Sequence, residues 1–395
     1  MKVDAIRKND GIHGMLPVEQ MPAHVRKWRA AYNKTPNAPI FHYEGWYYSI
    51  KAWKEQGLPV HLEEGTDEWN AYFSFDPSAQ YCRWRAGWTD AAMVPWFEPK
   101  ILESRPDGTV LTFDRAGRKV LVFEDQTRNI MPEYVDHPVK DMKSWKELVE
   151  WRLDFSSEQR QADLAGDIPE MVAKAKQGYF MRQRVIGCFM YLRSLIGPEG
   201  LLFMFYDDPE LIHACLQKWY ELSDAILADT QKHVSLDEIL FGEDICYNNG
   251  PLISPDMIEE FLIPYYKKLV DNARRRQMDQ DRHLFIQVDT DGKCMPVIDV
   301  YAKHIGMDVM SPFEVASGCD VVQIGKDHPD LIMLHGIDKR IMAKSKQAID
   351  AELERIIPVM KARGGYIPAC DHGVPEDVSL ENYLHYRKRM IELGG

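Results

Sequence analysis

EILFGED (238–244), SPDMIEEFLIPYYKKLVDNARRR (254–276) and HLFIQVD (283–289) follow one another along the chain. The first and last are short apolar runs of strand type. The segment between them is long, amphipathic and closed by basic residues, as a helix is. Strand, helix and strand joined by short loops make a parallel pair with a right-handed crossover. The alternation continues on both sides, with RQRVIGC (182–188) before it and GMDVMSP (306–312), LIMLHG (331–336) and GYIPAC (365–370) after it. SKQAIDAELERIIPVMKAR (345–363) opens on a serine in capping position and ends in basic residues before Gly364-Gly365, the two ends of a helix. These runs supply six strands, so one or two more from upstream would close a barrel of eight. No Gly-x-Gly-x-x-Gly follows a strand, and no phosphate-binding Gly-x-x-x-x-Gly-Lys-Ser/Thr occurs. The expected fold class is therefore α/β, a (β/α)₈ TIM barrel.

Upstream the chain reads differently. Seven of the ten tryptophans precede residue 100, among them those of FHYEGWYYSIKAW (41–53) and YCRWRAGW (81–88). Residues 1–100 are expected to form an aromatic-rich N-terminal elaboration, either a packed layer or an aromatic wall over a site. Residues 101–178 would hold a β-hairpin or meander, signalled by alternation and turns at 109–135, and a helical insertion or early barrel units. Residues 179–395 carry the regular βα units.

Composition narrows the function. Of 395 residues, 45% are hydrophobic and 28% charged, a globular balance. A net charge of −13 repels phosphate backbones, which argues against nucleic-acid binding. Residues 1–14 lack the apolar stretch of a signal peptide, and no window is apolar enough for a membrane span. Seven scattered cysteines without a Cys-x-x-Cys pair suit a reducing cytoplasm.

A barrel places its active site at the C-terminal ends of its strands, and these ends are rich in reactive side chains. Glu243 and Asp244 end one run, with Tyr247 and Asn249 beyond them. Asp289 and Asp291 flank the end of the next, Glu314 follows the third, Asp338 the fourth, and Cys370 with His372 the last. Two residues apart on a continuing strand, Asp289 and Asp291 would face the same side. They could ligate a divalent metal, hold a cation or act as a base, or Asp291 could simply cap a turn beside Gly292. Cys370 and His372 suit zinc together; otherwise His372 is a proton donor and Cys370 a small buried hydrophobe. Tyr247 and Asn249 are placed to position a polar ligand. Arg182, Arg184 and Arg193 flank the first regular strand, where one would suit a substrate carboxylate unless each is merely paired.

Taken in order, GEDICYNNGPLISPDM, VDTDG, SPFEVASGCDV, HGIDKR and GGYIPACDHGVPEDVSLENY resemble the uroporphyrinogen decarboxylase superfamily. The resemblance extends loosely upstream through WKEQGLP (53–59) and 132–155. It implies a (β/α)₈ barrel, a homodimer, and one of two chemistries: porphyrinogen decarboxylation, or zinc-dependent methyl transfer to a corrinoid protein or a thiol. His372 falls where the decarboxylases have their active-site histidine, but their arginine-rich N-terminal signature is missing. Where the methyltransferases have His-x-Cys and a later cysteine as ligands, this chain has Asp289-Thr290-Asp291 and Cys370, a harder set.

The expectation is thus a divergent methyltransferase acting on a small-molecule substrate. Zinc or another divalent metal would sit on Asp289, Asp291, Cys370 and His372, and a partner protein would carry the corrinoid. His372, Asp291, Glu314 and Glu243 are the expected catalytic residues. Asp244, Tyr247, Asn249, Arg184 and Asp338 are the expected substrate contacts. The alternatives are a metal-free decarboxylase or lyase of a small acid, and a non-catalytic ligand-binding barrel.

Overall fold

The computed structural model describes residues 9–123 and 132–395. Seven parallel strands form one sheet in chain order: β1 (Gln80–Ala86), β6 (Phe180–Ile186), β7 (Glu238–Gly242), β10 (Phe285–Asp289), β11 (Val309–Ser311), β12 (Ile332–Leu334) and β13 (Tyr366–Ile367). Every neighbouring pair is parallel. The six strand runs of the regular part are all present, shortened to the residues that exchange ladder hydrogen bonds.

The remaining staves come from the aromatic region. β1 is one, and the segment 41–47, joined through an isolated bridge at Tyr47, takes the place of the other. The latter lies beside the chain after β13, where Tyr48 N–H donates to the Val374 carbonyl (2.9 Å) and Val374 N–H to that of Trp46 (2.8 Å). The sheet thereby curls into an α/β barrel of the TIM type. Helices such as Pro209–Gln231, Ile263–Arg276 and Lys346–Arg363 cover its outside. Ser345 caps the last of these through the Ala348 N–H (3.2 Å). Among the described residues no single helix is long and apolar enough to cross a membrane.

The N-terminal end of the barrel is plugged. Trp28 and Tyr32 of helix Ala23–Tyr32 pack with Phe180, Phe285, Val309, Ile332 and Ile367 in one apolar cluster. Tyr32 lies 4.5 Å from the Phe180 ring and 5.1 Å from that of Phe285. With that end filled, the described residues leave the lumen open toward the C-terminal ends of the strands.

Between β1 and β6 an antiparallel meander is inserted: β2 (Lys100–Ser104), β3 (Thr109–Phe113), β4 (Lys119–Phe123) and β5 (Glu133–Asp136). Part of the 109–135 stretch, residues 124–131, lies outside the described residues. A two-residue hairpin, β8 (Cys246–Tyr247) and β9 (Gly250–Pro251), follows β7.

Candidate functional site

A cavity of about 630 Å³ opens at the C-terminal mouth. Its floor comes from strand ends: Gly242 and Asp244 after β7, Asp289 and Asp291 at the end of β10, and His372 beyond β13. Its walls come from the N-terminal elaboration and the meander, through Trp46, Tyr47, Tyr48, Trp88 and Tyr134. Both readings of the aromatic region therefore hold, for different rings. Trp28, Trp53 and Trp69 are buried in the cores, whereas Trp46 and Trp88 face the cavity.

The acids on the floor are individually tied. Asp289 accepts the Ser311 hydroxyl. Behind it runs a polar column along the lumen: Gln287 donates to Ser311 (2.7 Å), Arg182 donates to Gln287 (3.1 Å) and pairs with Glu238, and Tyr32 donates to Glu238. Burial pushes the Asp289 carboxyl up to about 7 and the neighbouring Asp291 adds to this, with Ser311 and Arg184 opposing. Asp244 is held by an ion pair with Arg193. Its carboxyl is still raised, because burial outweighs that pairing.

His372 is the imidazole that lines the cavity. Its Nε2 lies 3.6 Å from Asp291 Oδ2, just beyond hydrogen-bond length. Asp291 holds the imidazole pKa above its ordinary value, against burial. The Trp46 ring lies 5.2 Å away. His335, in a left-handed conformation (φ 76°), is pushed down to about 4 by burial and stays neutral.

Several expected site residues are placed elsewhere. Glu243 turns outward, away from the cavity, into the layer between strands and helices. It accepts hydrogen bonds from the Tyr266 and Tyr301 hydroxyls, and burial raises it to about 7. Both residues lie beyond the end of β7, and the left-handed backbone of Asp244 (φ 43°) accompanies its turn into the cavity. Glu314 braces the loop instead of lining the cavity: it accepts from Gly292 N–H and from Lys339 Nζ, both at 2.9 Å. Asp338 caps helix Lys339–Met342 and pairs with Arg340. Tyr247, 49% exposed, and Asn249 sit on the β8–β9 hairpin, outside the lining. The Tyr247 backbone packs so closely on Gly292 that a Cβ there would meet it at 2.7 Å, which explains the glycine after Asp291.

Cys370 is also outside the cavity. It is buried under Glu44, which accepts its N–H (3.0 Å), and burial holds its thiol far up. Among the described residues, no three His, Cys, Asp or Glu side chains converge closely enough to hold a metal ion. The set Asp289, Asp291, Cys370 and His372 does not fit a zinc site in this geometry. Asp289 is engaged by Ser311, and Cys370 lies behind the wall.

Sequence reasoning did not identify Trp46, Trp88, Tyr134 or Glu64 as lining residues. Aromatic density was a signal, but it did not say which rings face inward.

Fold and mouth define the molecule as an α/β barrel with a polar cavity at the C-terminal ends of its strands. The family model for uroporphyrinogen decarboxylase (URO-D) matches residues 130–392. Two curated uroporphyrinogen decarboxylases are similar. That of Alcanivorax borkumensis is 27% identical over 200 residues (48% of this chain, 51% of that one). That of Geobacter metallireducens is 25% identical over 187 residues (46% and 49%). The chain thus spans about half the length of the curated relatives it matches. Among solved structures, a methyltransferase from Methanosarcina mazei superposes with a TM-score of 0.57 at 14% identity, over 93% of this chain and 98% of that one. The chain belongs to the uroporphyrinogen decarboxylase family.

Proposed function

We propose that this URO-D-like barrel is a methyltransferase that demethylates a small substrate with an aromatic body. His372 supplies the proton taken up by the departing heteroatom. The observation that carries this reading is the meeting of an imidazole paired with Asp291 and an aromatic wall in one cavity.

The substrate stacks among Trp46, Trp88 and Tyr134, whose faces favour offset or edge contacts with another ring. Its methyl group points to the open mouth. As the methyl carbon bonds to the acceptor, the electron pair of the broken bond returns to the oxygen, nitrogen or sulfur that carried it. That atom takes the imidazolium proton of His372, and Asp291 keeps the histidine charged and oriented until then. General-acid assistance of this kind contributes about 10²–10⁴-fold. The acceptor in this reading is the corrinoid of a partner protein.

The test offers the protein a methyl phenyl ether, a methylated aromatic amine and a methyl phenyl thioether, with cob(I)alamin as acceptor, and follows methyl loss. We expect turnover of at least one class, falling about 10²-fold or more in His372→Gln. If none loses its methyl group while an aromatic acid releases carbon dioxide, His372 instead protonates a carbanion and the enzyme is a decarboxylase.

A further inference from the structure

Arg182 and Arg184 occupy alternate positions of β6 and so enter the same lumen, yet their surroundings differ. Arg182 pairs with Glu238 and donates to Tyr32 and Gln287. The guanidinium carbon of Arg184 lies instead 3.8 Å from the centre of the Trp84 ring and 3.5 Å from that of Trp88. The two rings stand 6.4 Å apart at 76°. Among the described residues nothing accepts a hydrogen bond from Arg184, and its buried Nε has no partner. The chain carries 61 acids against 48 bases, so a buried arginine with no carboxylate in hydrogen-bond contact among the described residues is unusual. Burial presses its pKa down to about 10.

Arg184, expected as a substrate contact, is not itself among the lining residues, but its neighbours are. Trp88, which covers it, and Asp289, which lies within its electrostatic reach, both line the cavity. Trp88 is set by Gly242, where a Cβ would sit 2.5 Å from the indole. The indoles contact the guanidinium carbon without accepting its hydrogen bonds, so its N–H donors keep the fork that matches a carboxylate in two parallel hydrogen bonds.

We propose that Arg184, held between Trp84 and Trp88, is the anion subsite of this cavity, and that the substrate is an aromatic carboxylate. The proposal rests on the cavity being the substrate chamber, as read above, but not on which bond is broken there. A carboxylate docked on Arg184 lies near Asp289 and favours the protonated form of that neighbour. The two residues then present one fixed cation and one hydrogen-bond donor to the substrate.

Benzoate and benzamide, alike in shape and different in charge, are the probes, titrated calorimetrically into the full chain. We expect the wild type to bind benzoate about tenfold or more tightly than benzamide, an advantage that shrinks as salt rises. Arg184→Gln should bind the two alike while keeping wild-type affinity for benzamide, which reports an intact pocket. Arg184→Lys should keep only part of the preference, since lysine lacks the planar fork. No preference in the wild type, or an undiminished one in Arg184→Gln, overturns the subsite. Methyl transfer is read in its own assay. Absence of turnover with the benzoate preference intact would remove the reaction assignment and support the subsite.

Discussion

Replacing Asp289 by asparagine puts the electrostatics of the cavity to a quantitative test. The carboxyl stands at about 7 in place of an ordinary 3.8, through burial first and Asp291 second. A folded-state pKa above the unfolded one means that the native chain keeps a proton the unfolded chain releases. Its contribution to stability is full below about pH 4, is lost as pH rises toward about 7, and is constant beyond. The interval between 3.8 and about 7 corresponds to about 4 kcal/mol at about 1.4 kcal/mol per pH unit. Asp289 borders an open cavity, and screening by water there reduces this to about 2 kcal/mol. Asparagine keeps the shape, still accepts the Ser311 hydroxyl and carries no charge. Asp289→Asn should therefore be more stable than the wild type by about 2 kcal/mol at pH 8 and by under about 1 kcal/mol at pH 5. Urea unfolding followed by tryptophan fluorescence at both pH values measures this. An advantage that is the same at pH 5 and pH 8, or none at pH 8, refutes the reasoning.

Other perturbations separate the remaining roles. Asp291→Asn removes the group that raises the His372 pKa, so the alkaline limb of the activity profile should move to lower pH; a pH–rate series on the variant checks this. Cys370→Ala should leave turnover within about twofold, because the thiol lies behind the cavity wall, whereas a thiolate ligand could not be spared; steady-state rates and metal content decide it. Gly242→Ala drives a methyl into the Trp88 ring and should cost about 1–3 kcal/mol of stability, with benzoate affinity falling alongside; thermal melting and calorimetry report both.

Much of the architecture was legible in the chain. Alternating apolar runs and amphipathic helices placed the strands β6, β7, β10, β11, β12 and β13, and the parallel connection follows from that alternation. The strand ends likewise marked Asp244, Asp289, Asp291 and His372, all of which border the cavity. Local periodicity reports backbone state, and backbone state fixes which end of a strand a residue leaves.

Direction beyond the strand was not legible. Glu243 and Asp244 are neighbours of like chemistry, but only the second reaches the cavity, through a backbone at φ 43° that no pattern of apolar residues encodes. Asp338 reads as a site acid and serves as a helix cap, because its fate depends on the Arg340 N–H beside it. Cys370 is turned under Glu44, a residue 326 positions earlier in the chain. The aromatic wall was visible as composition only, since the choice of Trp46 and Trp88 over Trp53 and Trp69 depends on how segment 41–47 and β1 close the barrel. The sequence alone set the βα rhythm and the strand ends that carry the polar groups, because hydrophobic periodicity is local. Which of those groups share one cavity, and that Arg184 meets indoles where Arg182 meets a carboxylate, was decided only by the closed tertiary structure, because burial and pairing are set by residues far away in the chain.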